Sequence, residues 1–359
     1  MRMSTAWWRR SLEQFRYPKG MTERTSRRQL LRSLGGLLPG AALLSMTRPA
    51  GGAATLTLQL SWSVASGRIG EVVAQSLGYF EAEGLQVKIA PGGPNVDGVA
   101  IVASGSAHVG NIASSPALML ARAGGLPVKC IASGYQEHPF AFFSLPRRPI
   151  RTPRDMIGKR IGVQATARVL LRALLAKHGI AESDVQVVMV GADVNPLLTG
   201  QVDATASWLT NTGLLKPLGP DRVELRLWDA GIRLYAQVYY ATDQMVRRHG
   251  DILAGFVRGA AKGWAFTHAR PEEAVDLMVK AYPNMDRAAE LEAVRSTLRF
   301  SFTKTTAEKG WGTMDPTVWE EQLRMFETLG QFKGPAPKVD DVMTPAILDA
   351  TTGARPRIG

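Results

Sequence analysis

Five histidines (His108, His138, His178, His249 and His268) and one cysteine, Cys130, are the first residues to ask for chemistry, and their spacing offers none. No histidines stand in an H-E-x-x-H or other metal-ligand spacing. Cys130 lies inside the apolar stretch LPVKCIAS, where a cysteine acts as a small core residue, and a lone cysteine forms no intramolecular disulfide. There is no G-x-S-x-G elbow and no P-loop, and PGGPNVDG is too loose for a dinucleotide-binding turn. The carboxylate pairs Glu81/Glu83, Glu272/Glu273 and Glu320/Glu321 read as solvated helix faces. Catalysis needs a group placed and tuned in a cleft, and no such constellation stands out.

Aromatic and amide residues at the ends of predicted strands are more informative. Trp62 ends the first strand, Trp208 ends VDATASW with Thr210 and Asn211 close behind, and Tyr235 opens a later strand. Facing one another across a cleft, these three aromatics would sandwich a heteroaromatic ring at stacking distance. Asn111, Gln136, His138, Gln164, Asn211 and Asp229 would then read its ring nitrogens and amino groups. A second chemistry is open as well. The helix expected over 166–177, with Thr166 as its N-cap, directly follows a strand. Its free N–H groups suit a carboxylate, phosphate or sulfonate, with Ser114 and Ser115 assisting.

Those residues need elements to hold them. TLTLQLSW alternates with period two and predicts a strand. GRIGEVVAQSLGYF then places Ile69, Val72, Val73, Leu77 and Phe80 at helical spacing. LQVKIA, AHVGN and PVKCIAS follow as strands, separated by the helices VDGVAIVASG and SPALMLARAGG. Such alternation predicts a mainly parallel sheet covered on both faces, with ligand beyond the carboxyl ends of its strands. The basic, proline-containing RRPIRTPRDMIGKR reads as a crossing into a second unit of the same kind, built from RIGVQ, DVQVVMVG and VDATASW. VELRLWDAG and RLYAQVYYAT are expected to return the chain to the first unit, and helices dominate from Asp243 onward. The expected fold class is α/β with two lobes, 55–145 plus 236–332 and 146–235. A tail over 333–359 would wrap the surface. Two lobes joined by crossing strands suit hinge closure over a small molecule.

Residues 1–54 read separately. Ten Arg/Lys and two Glu give this segment a net charge of +8, leaving +4 of the chain's +12 for the remaining 305 residues. That removes the case for nucleic acid, because no basic stripe with interleaved aromatics is left. Ser26-Arg27-Arg28-Gln29-Leu30-Leu31-Arg32 resembles the twin-arginine export signal. It precedes an apolar run too short to span a membrane. Cleavage near Ala54 and a periplasmic destination are expected, and Met21 makes a better start than Met1.

SLGYFEAEGLQVKI, VASGSAHVG, ARAGGLPVKCIAS, IRTPRDMIGKRIGVQ, LLTGQVDATASWLTN and DILAGFVRGAAKGWAF together resemble the substrate-binding proteins of ABC importers. The branch is the one holding thiamine-pyrimidine-precursor binders, with alkanesulfonate, taurine and riboflavin-precursor receptors as relatives. The resemblance implies a type-2 periplasmic-binding-protein fold and ligand in the inter-lobe cleft. It also implies delivery to a membrane permease, no cofactor, and a monomer. It carries ligand contact onto Trp62 and onto Trp208 to Asn211, and makes Asp203 a structural cap. A eukaryotic relative of the branch is a pyrimidine synthase with a cysteine-rich motif, which this chain lacks. WSVASGRIGE departs from the usual loop of the pyrimidine binders. The readings left open are a receptor for a planar nitrogen heterocycle, a receptor for an organic anion, an enzyme using His138 as acid or base, and a sensory receptor.

Overall fold

The computed structural model describes residues 52–93 and 95–359, so the twin-arginine segment and the start sites lie outside the described residues. Ten strands form two five-stranded sheets. The first holds β1 (Ala54–Leu60), β2 (Leu85–Ala90), β3 (Val109–Ser114), β4 (Val128–Tyr135) and β10 (Ala236–Thr242), in the order β2-β1-β3-β10-β4. The second holds β5 (Phe140–Ser144), β6 (Arg160–Val163), β7 (Gln186–Met189), β8 (Ala204–Trp208) and β9 (Val223–Arg226), in the order β7-β6-β8-β5-β9. The two orders are one pattern. In each sheet the fourth position is taken by a strand arriving from the other sheet, and that strand runs antiparallel to both neighbours. The remaining pairings are parallel.

This pairing moves the expected first boundary. The chain leaves the first sheet after Tyr135 and enters the second at Phe140, because β5 pairs with β8 and β9, so the crossing precedes residue 146. Strand β9 stays in the second sheet as its edge, and β10 alone makes the return. The tail also differs from expectation. Val342, Met343, Ile347 and Leu348 are buried in the first lobe's core, and Thr344 N–H donates to Cys130 O. Four apolar side chains at close spacing outweigh the Pro/Gly content that suggested a surface wrap.

Each lobe has its own apolar core. In the first, the helix Ile69–Ser76 crosses the helix Gly250–Ala269 at glycines. A Cβ on Gly263 would lie 1.9 Å from Gly70 O, and one on Gly70 would lie 2.3 Å from the Trp264 ring. The absence of side chains there lets the backbones touch, and it fixes the turn between β1 and its helix.

Candidate ligand-binding site

Ser114 at the carboxyl end of β3 and Trp208 at the end of β8 meet His138 in the first crossing segment. Trp62 follows β1 and is 57% exposed, the most exposed large apolar side chain among the described residues. Its carbonyl accepts from Gly92 N–H at 3.1 Å. The loop can approach so closely because position 92 has no side chain: a Cβ would sit 2.3 Å from Leu60 O.

From there a row of contacts crosses between the lobes. Ser114 ends β3, and its Oγ lies 3.0 Å from His138 Nε2. His138 Nδ1 accepts from Phe140 N–H at 3.2 Å, so a neutral ring carries its proton on Nε2 and donates it to Ser114. Burial pushes the His138 imidazolium down to about 3, so the ring is neutral at ordinary pH. The ring lies edge-on to Trp208, with centroids 4.8 Å apart. Trp208 pairs in register with Phe140 across β8 and β5, and it stays half-buried. Gln164, just past β6, donates to Gly191 O at 3.2 Å and Ala206 O at 3.4 Å. Asn211 is exposed, with Nδ2 3.4 Å from Ser207 Oγ.

Other nominated residues are engaged elsewhere. Tyr235 is buried against Trp319, and its hydroxyl accepts from Asp315 N–H at 2.8 Å, so it offers no face to a cleft. Tyr235 therefore drops out of the three-aromatic sandwich. Ser115 Oγ accepts from Tyr235 N–H and donates to Gln322, which ties it to the crossing. Gln136 is buried and donates to Ser133 O and Thr313 O. Asp229 is largely exposed beside Arg226, away from the row. Thr166 is exposed in a short 3-10 turn, and the regular helix runs Arg168–Lys177 with no side-chain cap, so Thr166 is not its N-cap. Asp203 caps no helix either. Its carboxylate takes both Arg160 N–H and the Arg160 guanidinium, together with Arg148, pinning β6 to the start of β8. Those hydrogen bonds hold the carboxyl down at about 2.

The structure also joins Asn111, nominated from the sequence, to residues that sequence reading passed over. Asn111 is fully buried in β3, and its Nδ2 donates to Gln237 O at 3.3 Å while Oδ1 has no partner. Gln237, at the start of β10, has φ +52°, the one left-handed non-glycine among the described residues. Strain of this kind gathers at ligand clamps and switch regions. The Gln237 side-chain oxygen accepts from Arg68, which is itself buried beside Glu71. Glu71 accepts from the Tyr239 hydroxyl at 2.5 Å. Burial pushes the Glu71 carboxyl up, and the Arg68 charge and the Tyr239 hydroxyl pull it back. One signal was visible in the sequence. Arg68 and Glu71 stand three apart among Ile69, Val72 and Val73, two opposite charges written into an apolar helix face.

Along the Ser114–His138–Trp208 row the chemistry is one of neutral donors, acceptors and an aromatic face. Cys130 is fully buried, and burial pushes its thiol up, away from the thiolate a nucleophile needs. Among the described residues no three His, Cys, Asp or Glu side chains are grouped to hold a metal ion.

The chain can now be set beside known proteins. The riboflavin-binding protein RibY of Chloroflexus aurantiacus is 26% identical over 275 residues, spanning 73% of this chain and 77% of RibY. The 4-amino-5-hydroxymethyl-2-methylpyrimidine phosphate synthase of Legionella pneumophila is 25% identical over 263 residues, spanning 71% and 83%. Among solved structures, the periplasmic aliphatic sulphonate binding protein SsuA from Escherichia coli superposes with a TM-score of 0.62 at 16% identity, over 80% of this chain and 91% of SsuA. That likeness is one of fold: two α/β lobes joined by crossing strands. The family model described as NMT1/THI5 like matches residues 66–274, more than half of the chain, and the chain belongs to that family.

Proposed function

We propose that the protein is the solute receptor of an ABC importer, working outside the cytoplasmic membrane. Its ligand is a small planar nitrogen heterocycle of the pyrimidine-precursor kind. The observation that carries this reading is the Ser114–His138–Trp208 row. It places an aromatic face and a neutral hydrogen-bonding relay where the two lobes meet, with the exposed Trp62 at the end of β1. Both named relatives support the ligand class, since riboflavin and an aminopyrimidine are planar and nitrogen-rich.

Ligand stacks on Trp62 and Trp208, while Gln164 and Asn211 turn their amides to its ring nitrogens. Contacts made by both lobes at once exist only when the cleft is shut. Ligand therefore shifts an open–closed equilibrium by its differential affinity for the closed state, and the permease reads that shape. The chemistry of the site favours binding over turnover. His138 holds its proton too weakly to serve as an acid at neutral pH, and its Nδ1 lone pair is already taken by Phe140 N–H. A sulfonate receptor is the second reading, supported by the fold of SsuA and the exposed Thr166 hydroxyl. It is weakened because Ser114 and Ser115 are both engaged within the protein.

Calorimetric titration with an aminopyrimidine, at low and high salt, separates the two. The heterocycle reading expects binding that is insensitive to salt and falls about tenfold or more in Trp208→Ala. Binding that weakens steeply with salt and survives Trp208→Ala would overturn it.

A further inference from the structure

A second cavity, of about 770 Å³, lies between the helix Arg287–Ser301 and strand β9 with the turn Thr212–Leu215. It begins one residue along from the row just described, at Glu137 and Leu209, but shares no residue with it. Its volume falls within the range of small-molecule sites, and its wall is cationic. Lys216, Arg222 and Arg226 face it from the second lobe, and Arg287, Arg295 and Arg299 from the helix. Three carboxylates share the wall: Glu137, Glu224 and Glu292.

The pairing leaves the excess concentrated. Glu137 and Asp229 bind Arg226 and Glu224 binds Arg222, while Arg287 and Arg295 are drawn to Asp276 and Glu272 beyond the wall. Lys216 and Arg299 have no ion-pair partner among the described residues, and they come from opposite sides of the cavity. The Arg226 guanidinium lies 5.5 Å over the Phe300 ring, and its Nε is buried with no hydrogen-bond partner. Glu137 and Asp229 already hold that guanidinium, so the cations left to meet an oxyanion are Lys216 and Arg299.

We propose that this cavity binds a small phosphate-bearing polyanion, held between Lys216 of the second lobe and Arg299 of the first. An anion so held ties the two lobes together, independently of any heterocycle.

Pyrophosphate titrated into the full chain, followed by calorimetry at two ionic strengths, tests this. The expected result is one-to-one binding that weakens as salt rises and drops at least tenfold in Arg299→Glu and in Lys216→Glu. Lys309→Glu, an exposed charge outside the cavity wall, should bind as the wild type does. Absence of saturable binding would overturn the assignment. So would an equal loss in all three variants, which reports only overall charge. Either failure leaves aminopyrimidine binding at Trp208 untouched and separately measurable.

Discussion

Lowering the pH should destabilise this protein through His138, by an amount that can be worked out. Burial alone depresses its imidazolium, from an ordinary 6.5 to about 3. The native ring therefore stays neutral while the unfolded chain takes up a proton as pH falls below 6.5. Stability from this group is intact above that value, declines from there, and bottoms out near pH 3. At pH 5, about 1.5 pH units below its ordinary value, the unfolded-state imidazole is almost fully protonated while the native one is not, which is worth about 2 kcal/mol at about 1.4 kcal/mol per pH unit. A single-group loss of that size is a large fraction of the roughly 5–15 kcal/mol that holds most domains folded. The assay is urea unfolding at pH 7 and pH 5, on wild type and on His138→Gln, whose amide keeps a donor for Ser114 and an acceptor for Phe140. The variant starts less stable at pH 7, yet its loss on acidification should be smaller by about 2 kcal/mol. His108 and His268 are also depressed by burial, and they cancel in this difference. Parallel losses in the two proteins would refute the reasoning, since they would mean that the His138 ring is solvated or charged in the native state.

Trp62→Ala should leave the melting temperature unchanged, because the ring is mostly exposed, while weakening heterocycle binding about 3–10-fold, the scale of one aromatic stacking contact; calorimetry and a thermal melt check the two halves. Gly263→Ala should cost about 1–3 kcal/mol in urea unfolding, since its Cβ would strike Gly70 O and Ala74 N, which are backbone atoms that cannot rotate away. Gly255→Ala on the same helix meets only side-chain atoms, the Leu85 methyl at 3.3 Å, Glu83 Cβ at 3.5 Å and Arg258 Nη2 at 3.7 Å, and should be close to neutral, so equal costs at the two sites would count against the crossing described above.

Much of this was legible in the chain, and the illegible parts have physical causes. The alternation of period-two and helical stretches located β1, β2, β3, β4, β6, β7 and β8, because each is bounded by turn residues and backed by an amphipathic helix. Strand β5 was missed. Its residues Phe140–Ser144 are buried on both faces, so the run shows no alternation to read. That one omission misplaced the lobe boundary, since the crossing depends on which sheet β5 joins. The strand-end rule nominated Trp62, His138 and Trp208, and the structure places His138 against Trp208. Tyr235 satisfied the same rule yet packs on Trp319, a residue far along the chain that no local pattern connects to it. The Arg68–Gln237 contact spans 169 positions and depends on a left-handed glutamine, which sequence does not announce.

The receptor reading is tested most directly by native mass spectrometry of the protein purified without denaturant, with identification of whatever small molecule it retains. The account predicts one unmodified planar nitrogen heterocycle per chain, still unmodified after long incubation. A retained sulfonate or carboxylate would contradict the stacking site built on Trp62 and Trp208, and a chemically altered heterocycle would contradict binding without turnover.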